Sequence, residues 1–341
     1  MYTLEQLGWH TFFEDTLTEQ ERSRLARITV TGQNTYQALT LEGKINLKLT
    51  GSFSRTITTK FELPAVGDWV VTDETKQVIH RRLPRQTNFV RNIPGEKDER
   101  QVVAANIEEV WLVMSLNKDF NLKRLNRYVT TAWDSGAIPV IVLTKSDLVT
   151  DLEDYLSQVE SEHMGIEIIA CSALNGAGFD RLNKRLVEHR TIALVGSSGA
   201  GKSTLLNYLA GEEIQTTSGI RADDSRGRHT TTSRFLLPVG DAWIIDTPGM
   251  RELQLWADSE SLDTTFTDIK ELTANCRFNN CTHNNEPGCA VTAALADGTL
   301  STQRWAEYTK LQKELAYLER KANPVSQRQY MKAIIKKYKK K

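Results

Sequence analysis

Apolar and polar positions change their period twice along the chain. From about Ala26 to Leu83, short alternating runs follow one another: RITVTG, YQALTLEG, INLKLTG, FELPAVGDWVV and KQVIHRRL. Glycine or Asn-containing turns separate them, and no strong helix signal intervenes. Five such strands in roughly 60 residues predict a small β-barrel. An OB-fold is the natural candidate, and strand spacing alone does not separate it from an SH3-like barrel. Past the stretch Arg91-Asn-Ile-Pro-Gly95 the runs become continuously apolar, as in EEVWLVMSL, IPVIVLTK, IEIIACSA, TIALVG and AWIIDTPG. Helical segments such as Leu122–Trp133 and Phe179–His189 lie between several of them, the pattern of a doubly wound α/β sheet. The expected division is an N-terminal extension over 1–25, helical or irregular, a barrel over 26–93, an α/β domain over 94–256 and a helical region over 257–341. That last region holds a Cys/His cluster, a helix around Gln303–Lys321 and a basic tail.

Composition adds three constraints. The 341-residue chain carries as many bases as acids, 43 of each, yet the segment from Arg320 to Lys341 contains nine bases and no acid. That asymmetry points to a polyanionic partner such as nucleic acid, the alternative being a solvated tail. No run approaches the ~18 apolar residues of a membrane span, and the acidic N-terminus has no signal-peptide pattern. The expectation is a cytoplasmic protein with no membrane partner. Of four cysteines, three crowd into one short stretch, which in the cytosol favours a metal over disulfides.

The segment Gly196-Ser197-Ser198-Gly199-Ala200-Gly201-Lys202-Ser203 fits G-x-x-x-x-G-K-[ST], with an apolar strand before it and a helical run from Thr204 after it. Glycines let backbone N–H groups curl around phosphates, Lys202 can reach the β- and γ-phosphates, and the Ser203 hydroxyl can ligate Mg²⁺. About 45 residues later a strand ends in Asp246-Thr-Pro-Gly249. There Asp246 can hold Mg²⁺ through water and the Gly249 N–H can sense a γ-phosphate. Thr144-Lys145-Ser146-Asp147 ends another strand, and Ser172-Ala173 follows the next. A carboxylate at Asp147 can accept two hydrogen bonds from guanine, the Lys145 stem can cover the base, and a backbone N–H at Ser172-Ala173 can meet O6. Such a site rejects adenine, whose N1 is an acceptor. The base motif precedes the phosphate loop, the reverse of ordinary GTPases, so the domain reads as circularly permuted. In the polar stretch Arg221–Arg234, Thr231 is the expected switch threonine on Mg²⁺. Met250 stands where many GTPases carry a water-orienting Gln; a thioether cannot orient water, and His229 is the nearest alternative. Cys276-x₄-Cys281-x-His283-x₅-Cys289 supplies a complete four-ligand set, which reads as one structural Zn²⁺.

Together these features resemble the ribosome small-subunit-dependent GTPase family (RsgA, also called YjeQ or YloQ). The resemblance rests on Gly67-Asp-Trp-Val70, Ala104-Ala-Asn-Ile107, Thr144–Asp147, Gly196–Thr204, Gly227–Thr232, Asp246–Gly249 and the Cys/His spacing. It implies an OB-fold, a permuted GTP-hydrolysing domain and a zinc domain, all contacting 16S rRNA late in maturation of the 30S subunit. It also implies weak intrinsic hydrolysis that the 30S particle stimulates, a histidine at His229 promoting it, and a monomer off the ribosome. A permuted GTPase of the large subunit would share the nucleotide motifs but lack the barrel and this zinc pattern. Asp147 speaks against a P-loop ATPase or kinase. Intact Lys202, Ser203 and Asp246 speak against an RNA-binding module that keeps GTP only as a structural ligand.

Overall fold

The computed structural model describes residues 2–32, 35–92, 100–117, 119–187, 189–214, 234–247, 259–284 and 286–322. The chain divides into two compact units, 1–253 and 254–341.

In the first unit, β1 (Leu25–Thr31), β2 (Tyr36–Thr40), β3 (Gly43–Leu49), β4 (Trp69–Thr72) and β5 (Val78–Arg82) form a closed barrel. β1 pairs antiparallel with both β2 and β4, and closure runs through a parallel β3–β5 pair, Lys48↔Val78 and Leu49↔Ile79. That parallel pair, with a short helix α1 (Gly51–Thr56) between β3 and β4, decides for the OB-fold over the SH3-like alternative. The helix was not expected, because six residues are too few to show a helical period. Its N-cap is local: Thr50 Oγ1 accepts from Phe53 N at 3.2 Å. The fourth expected run is mostly loop, and only Trp69–Thr72 is strand. Gly67, at φ 92°, passes so near the Ala105 carbonyl that a Cβ would lie 2.1 Å from it, so only glycine fits there. Ala26, Ile28, Ala38, Leu47, Val70 and Ile79 fill the barrel.

The N-terminal lead, expected as short helical or irregular, is a series of short 3₁₀ turns. It packs: Leu7, Trp9 and Phe13 are buried, and Trp9 stands edge-on to Trp69 with ring centroids 4.9 Å apart. A hairpin, β6 (Asn88–Asn92) and β7 (Arg100–Ala105), follows the barrel and straddles the expected division at 93/94.

The α/β sheet comprises β8 (Glu109–Ser115), β9 (Ile138–Thr144), β10 (Glu167–Ala170), β11 (Thr191–Val195), β12 (Phe235–Val239) and β13 (Ala242–Asp246). The spatial order is β10-β9-β8-β11-β13-β12, parallel except for β12, and β12 also touches β1 through Val30↔Phe235. Alternate residues of the fully buried β8 face opposite cores. Val110, Leu112 and Met114 join α2 (Leu122–Asp134) and α3 (Leu152–Glu162), while Trp111 and Val113 join α4 (Phe179–Asn183) and α5 (Lys202–Ala210). The sheet is therefore doubly wound, as expected. α4 stops six residues short of the predicted His189, which itself sits at φ 66°. Beyond its end, Arg185 turns to a bidentate pair with the buried Glu109 (2.7 and 2.9 Å).

The second unit packs α6 (Ser259–Thr265), α7 (Thr267–Ala274), α8 (Ala290–Asp297) and α9 (Thr302–Ala322) around Phe266, Ile269, Val291, Leu300 and Leu311. Among the described residues no helix is long and apolar enough to cross a membrane.

A buried ion pair holds the barrel's long loop. Arg85 forks onto Asp68 (2.8 and 2.7 Å) and also donates to the carbonyls of Phe61 and Leu63 at 2.8 Å. Removing one partner of a buried pair strands the other charge, at a cost of about 3–5 kcal/mol. Asp68→Ala is expected to lose that much in urea unfolding; a loss below about 1 kcal/mol would show the site to be hydrated, as exposed pairs are.

Candidate active site

β11 lies between β8 and β13, where the connections leave the sheet in opposite directions, and this switch point is the usual crevice for a ligand. The loop from Gly196 to Gly201 rises there. A Cβ on Gly196 would sit 2.3 Å from the Val113 carbonyl, and Gly199 and Gly201 have φ of 82° and 94°, so the glycines are required by close approach and by left-handed backbone. α5 starts at Lys202, aiming its N-terminal N–H groups into the crevice. Lys202 is 7% exposed and its Nζ donates to the carbonyls of Gly196 (2.8 Å) and Ser197 (2.9 Å). Burial pushes its pKa down to about 8, and the charge of Asp246 opposes that shift. Asp246 ends β13 level with Leu194 of β11, and Thr247 Oγ1 donates to Leu194 O at 2.5 Å. An ammonium, the Ser203 hydroxyl and a carboxylate thus surround one helix N-terminus, a set able to hold a phosphate chain and a divalent cation.

The base motif meets the same loop. β9 ends at Thr144, whose Oγ1 donates to the Ala200 carbonyl at 2.6 Å. Lys145, at φ 60°, extends its Nζ to the Gly199 carbonyl at 2.9 Å. Ser146 N donates to Cys171 O at 3.1 Å, seating the turn that carries Asp147 against the end of β10. Ser172 Oγ donates to Asp147 Oδ1 and accepts from Leu174 N. Thr144, Lys145, Asp147, Ala173, Gly201 and Thr204 share one cavity of about 290 Å³ with Leu148, Cys171, Leu174, Phe179 and Leu205. It is an apolar slot with one carboxylate, suited to a flat aromatic ring that donates hydrogen bonds along an edge. As expected, Cys171 is a buried small residue; burial raises its thiol to about 12, far from a nucleophile.

His229, Thr231 and Gly249 lie outside the described residues, as do Gly227–Thr232 as a motif and the tail beyond Ala322. The remaining expected nucleotide residues converge on the crevice. Two residues escaped the sequence reading. Asp119 Oδ2 accepts from Ser197 Oγ at 2.6 Å, bracing the phosphate loop from the β8 side, and Arg124 of α2 pairs with Asp119 at 2.9 Å. An acid four residues past the end of β8 was the available signal, useful only once β8 is known to lie beside β11.

In the second unit, the donor atoms of Cys276, Cys281, His283 and Cys289 all lie within 4.8 Å of one another. The sulfurs of Cys276 and Cys289 are 4.0 Å apart, and each is 3.6 Å from His283 Nδ1. Tetrahedral Zn–S and Zn–N bond lengths require edges of about 3.8 and 3.6 Å, so the set fits zinc. Glu286 ties the loop by accepting from Thr282 N at 3.0 Å and Asn284 N at 2.6 Å. All four positions come from the protein, which leaves no open site for catalysis.

The family model described as RsgA GTPase matches residues 82–256, and one described as 50S ribosome-binding GTPase matches residues 191–326. Small ribosomal subunit biogenesis GTPase RsgA 2 of Lactiplantibacillus plantarum is 45% identical over 92% of this chain and 90% of its own. RsgA 2 of Listeria monocytogenes is 44% identical over 96% and 93%. Among solved structures, YjeQ from Thermotoga maritima superposes with a TM-score of 0.62 at 26% identity, over 86% of this chain and 98% of that one. YloQ, described as a circularly permuted GTPase, shares the fold, with a TM-score of 0.59 over 86% and 94% at 24% identity. Full-length relatives at this identity, a site with a phosphate cradle and a base slot, and the permuted strand order lead to one conclusion: the chain belongs to the RsgA GTPase family and is a GTP-hydrolysing enzyme.

Proposed function

We propose that the protein binds the small ribosomal subunit and acts late in its maturation, with GTP hydrolysis stimulated by the particle. The observation that carries this reading is the identity, over nine-tenths of the chain, to proteins named for small-subunit biogenesis. The OB barrel, a frequent nucleic-acid reader, supports it. A large-subunit role draws on the second family model, but that match begins at β11 and leaves out the barrel. The protein works in the cytoplasm, as a monomer off the ribosome, with 16S rRNA as its target. The basic segment after Arg320 adds sequence-independent attraction to phosphates.

In this reading guanine fills the slot between Lys145 and Leu174, with its N1–H and amine on Asp147 and its O6 on the Ala173 N–H. Backbone N–H groups of Ser198–Thr204 and the Lys202 ammonium hold the phosphates, and Ser203, Thr231 and Asp246 hold Mg²⁺. The Gly249 N–H senses the γ-phosphate, and His229 orients the attacking water. Most of the work is positioning and charge neutralisation, as phosphoryl transfer requires. Zinc at the Cys₃His cluster is structural.

Two outcomes are expected for turnover. In a turnover assay with 30S subunits, 50S subunits and neither, only 30S accelerates hydrolysis. His229→Ala keeps its GTP affinity and loses about 100-fold or more of the stimulated kcat. Stimulation by 50S alone would assign the enzyme to the large subunit, and wild-type turnover in the variant would remove His229 from the mechanism.

Lys202, with its pKa near 8, is charged below that pH and loses its proton above it. Bound phosphates favour the ammonium. GTP affinity is therefore flat below about pH 8 and falls by up to about tenfold per unit above it. Calorimetry at pH 8.5 in buffers of different ionisation enthalpy should register proton uptake on binding; none would place the Lys202 pKa well above 8.

Chelation, or Cys276→Ala, is expected to unfold the second unit while GTP binding persists. Fewer than half a zinc per purified chain would refute the metal assignment.

A further inference from the structure

Two other arginines of the first unit spread their donors over three or more oxygens, and the Arg27 Nε is likewise buried without a partner. Arg27 donates to the Leu7 and Asn106 carbonyls and to Thr191 Oγ1, and Arg85 to Asp68 and two carbonyls. Arg91 and Arg234 differ. Arg91 lies on β6, opposite Gln101 of β7, and Arg234 immediately precedes β12. Their Nη2 atoms both donate to the single Gln101 Oε1, at 3.2 and 3.3 Å. A neutral amide oxygen therefore holds two like charges within the span that one phosphate group bridges. Arg234 is 8% exposed, and the Nε of each arginine is buried without a partner. Among the described residues no carboxylate pairs with either. Burial, and then the charge of Arg91, push Arg234 down to about 10, so both remain cationic at neutral pH. A buried guanidinium beside a half-buried one, with no anion, is costly, and their forked donors match a tetrahedral oxyanion.

We propose that Arg91, Gln101 and Arg234 form a phosphate-group site where the β6–β7 hairpin meets the start of β12, next to Phe235, the cross-strand partner of Asp246. The ligand chemistry is a phosphate oxyanion, presented by an RNA backbone or free in solution. An occupant would neutralise the pair and join the hairpin to the strand that leads to β13 and Asp246.

The test uses the full-length protein with excess GDP and Mg²⁺, so that the phosphate loop is filled. Melting is compared in inorganic phosphate and in chloride at equal ionic strength. Wild type is expected to gain about 2 °C or more in phosphate over whatever Arg91→Gln and Arg234→Gln gain, general salt effects being common to all three. Variants that keep the full wild-type gain overturn the site. So do variants that melt far below wild type in chloride, which would make the pair structural. A second arm rests on the small-subunit reading, while the first does not. If the source is RNA, each variant flattens the salt dependence of 30S binding by about 0.7–0.9 log units per log unit of salt. An unchanged slope identifies the free oxyanion instead.

Discussion

The hydrogen bond from Thr144 Oγ1 to the Ala200 carbonyl joins the two halves of the nucleotide site. The base motif ends β9 and the phosphate loop leaves β11, with β8 between them. Only the parallel register Leu112↔Val195 and Ser115↔Thr144 brings both to one edge at the same height. Given that register, Lys145 reaches Gly199, Asp119 reaches Ser197, and Gly201 can pass beside the Thr144 side chain. Every donor aimed at the crevice depends on these strand ends staying level, because a slip of one residue would turn each strand's side chains to the wrong core.

The same sheet is continuous with the barrel, and the join is polar as well as apolar. Arg27 of β1 reaches Thr191, the first residue of β11, and Trp243 Nε1 of β13 donates to the Gln6 carbonyl at 2.7 Å. Trp9 and Phe13 of the lead pack on Trp69 of β4. The strand that carries the phosphate loop is therefore braced at its base by barrel and lead together.

Permutation alters chain order without altering neighbours. Residues of the base motif precede those of the phosphate loop by about 50 positions, yet the strands stand in the sequence of neighbours that a phosphate-loop crevice needs. What changes is where the chain leaves. β13 and its Asp246 are followed in the chain by the segment that leads into the unit holding the Cys/His cluster.

The linear sequence determined whatever depends on local chemistry. Glycine spacing before Lys202, the acid ending β13, the Thr-Lys-Ser-Asp turn and the four-ligand spacing each need particular residue types at short range, so they are legible without a fold. Continuous apolar runs marked the doubly wound sheet for the same reason, since strands buried on both faces have no polar side to show. Long-range pairing decided the rest. The parallel β3–β5 ladder that makes the barrel an OB-fold joins residues about 30 apart and leaves no pattern in either strand. The hairpin across the expected boundary, the short α1 and the early end of α4 are settled by contacts with Ala105, Ile79 and Glu109, not by their own periods. Asp119 and the Arg91–Arg234 pair belong to this second group. A charged residue in a loop or a strand looks ordinary until the tertiary structure sets it beside a particular neighbour, because the partner, which no local pattern shows, is what gives the charge its role.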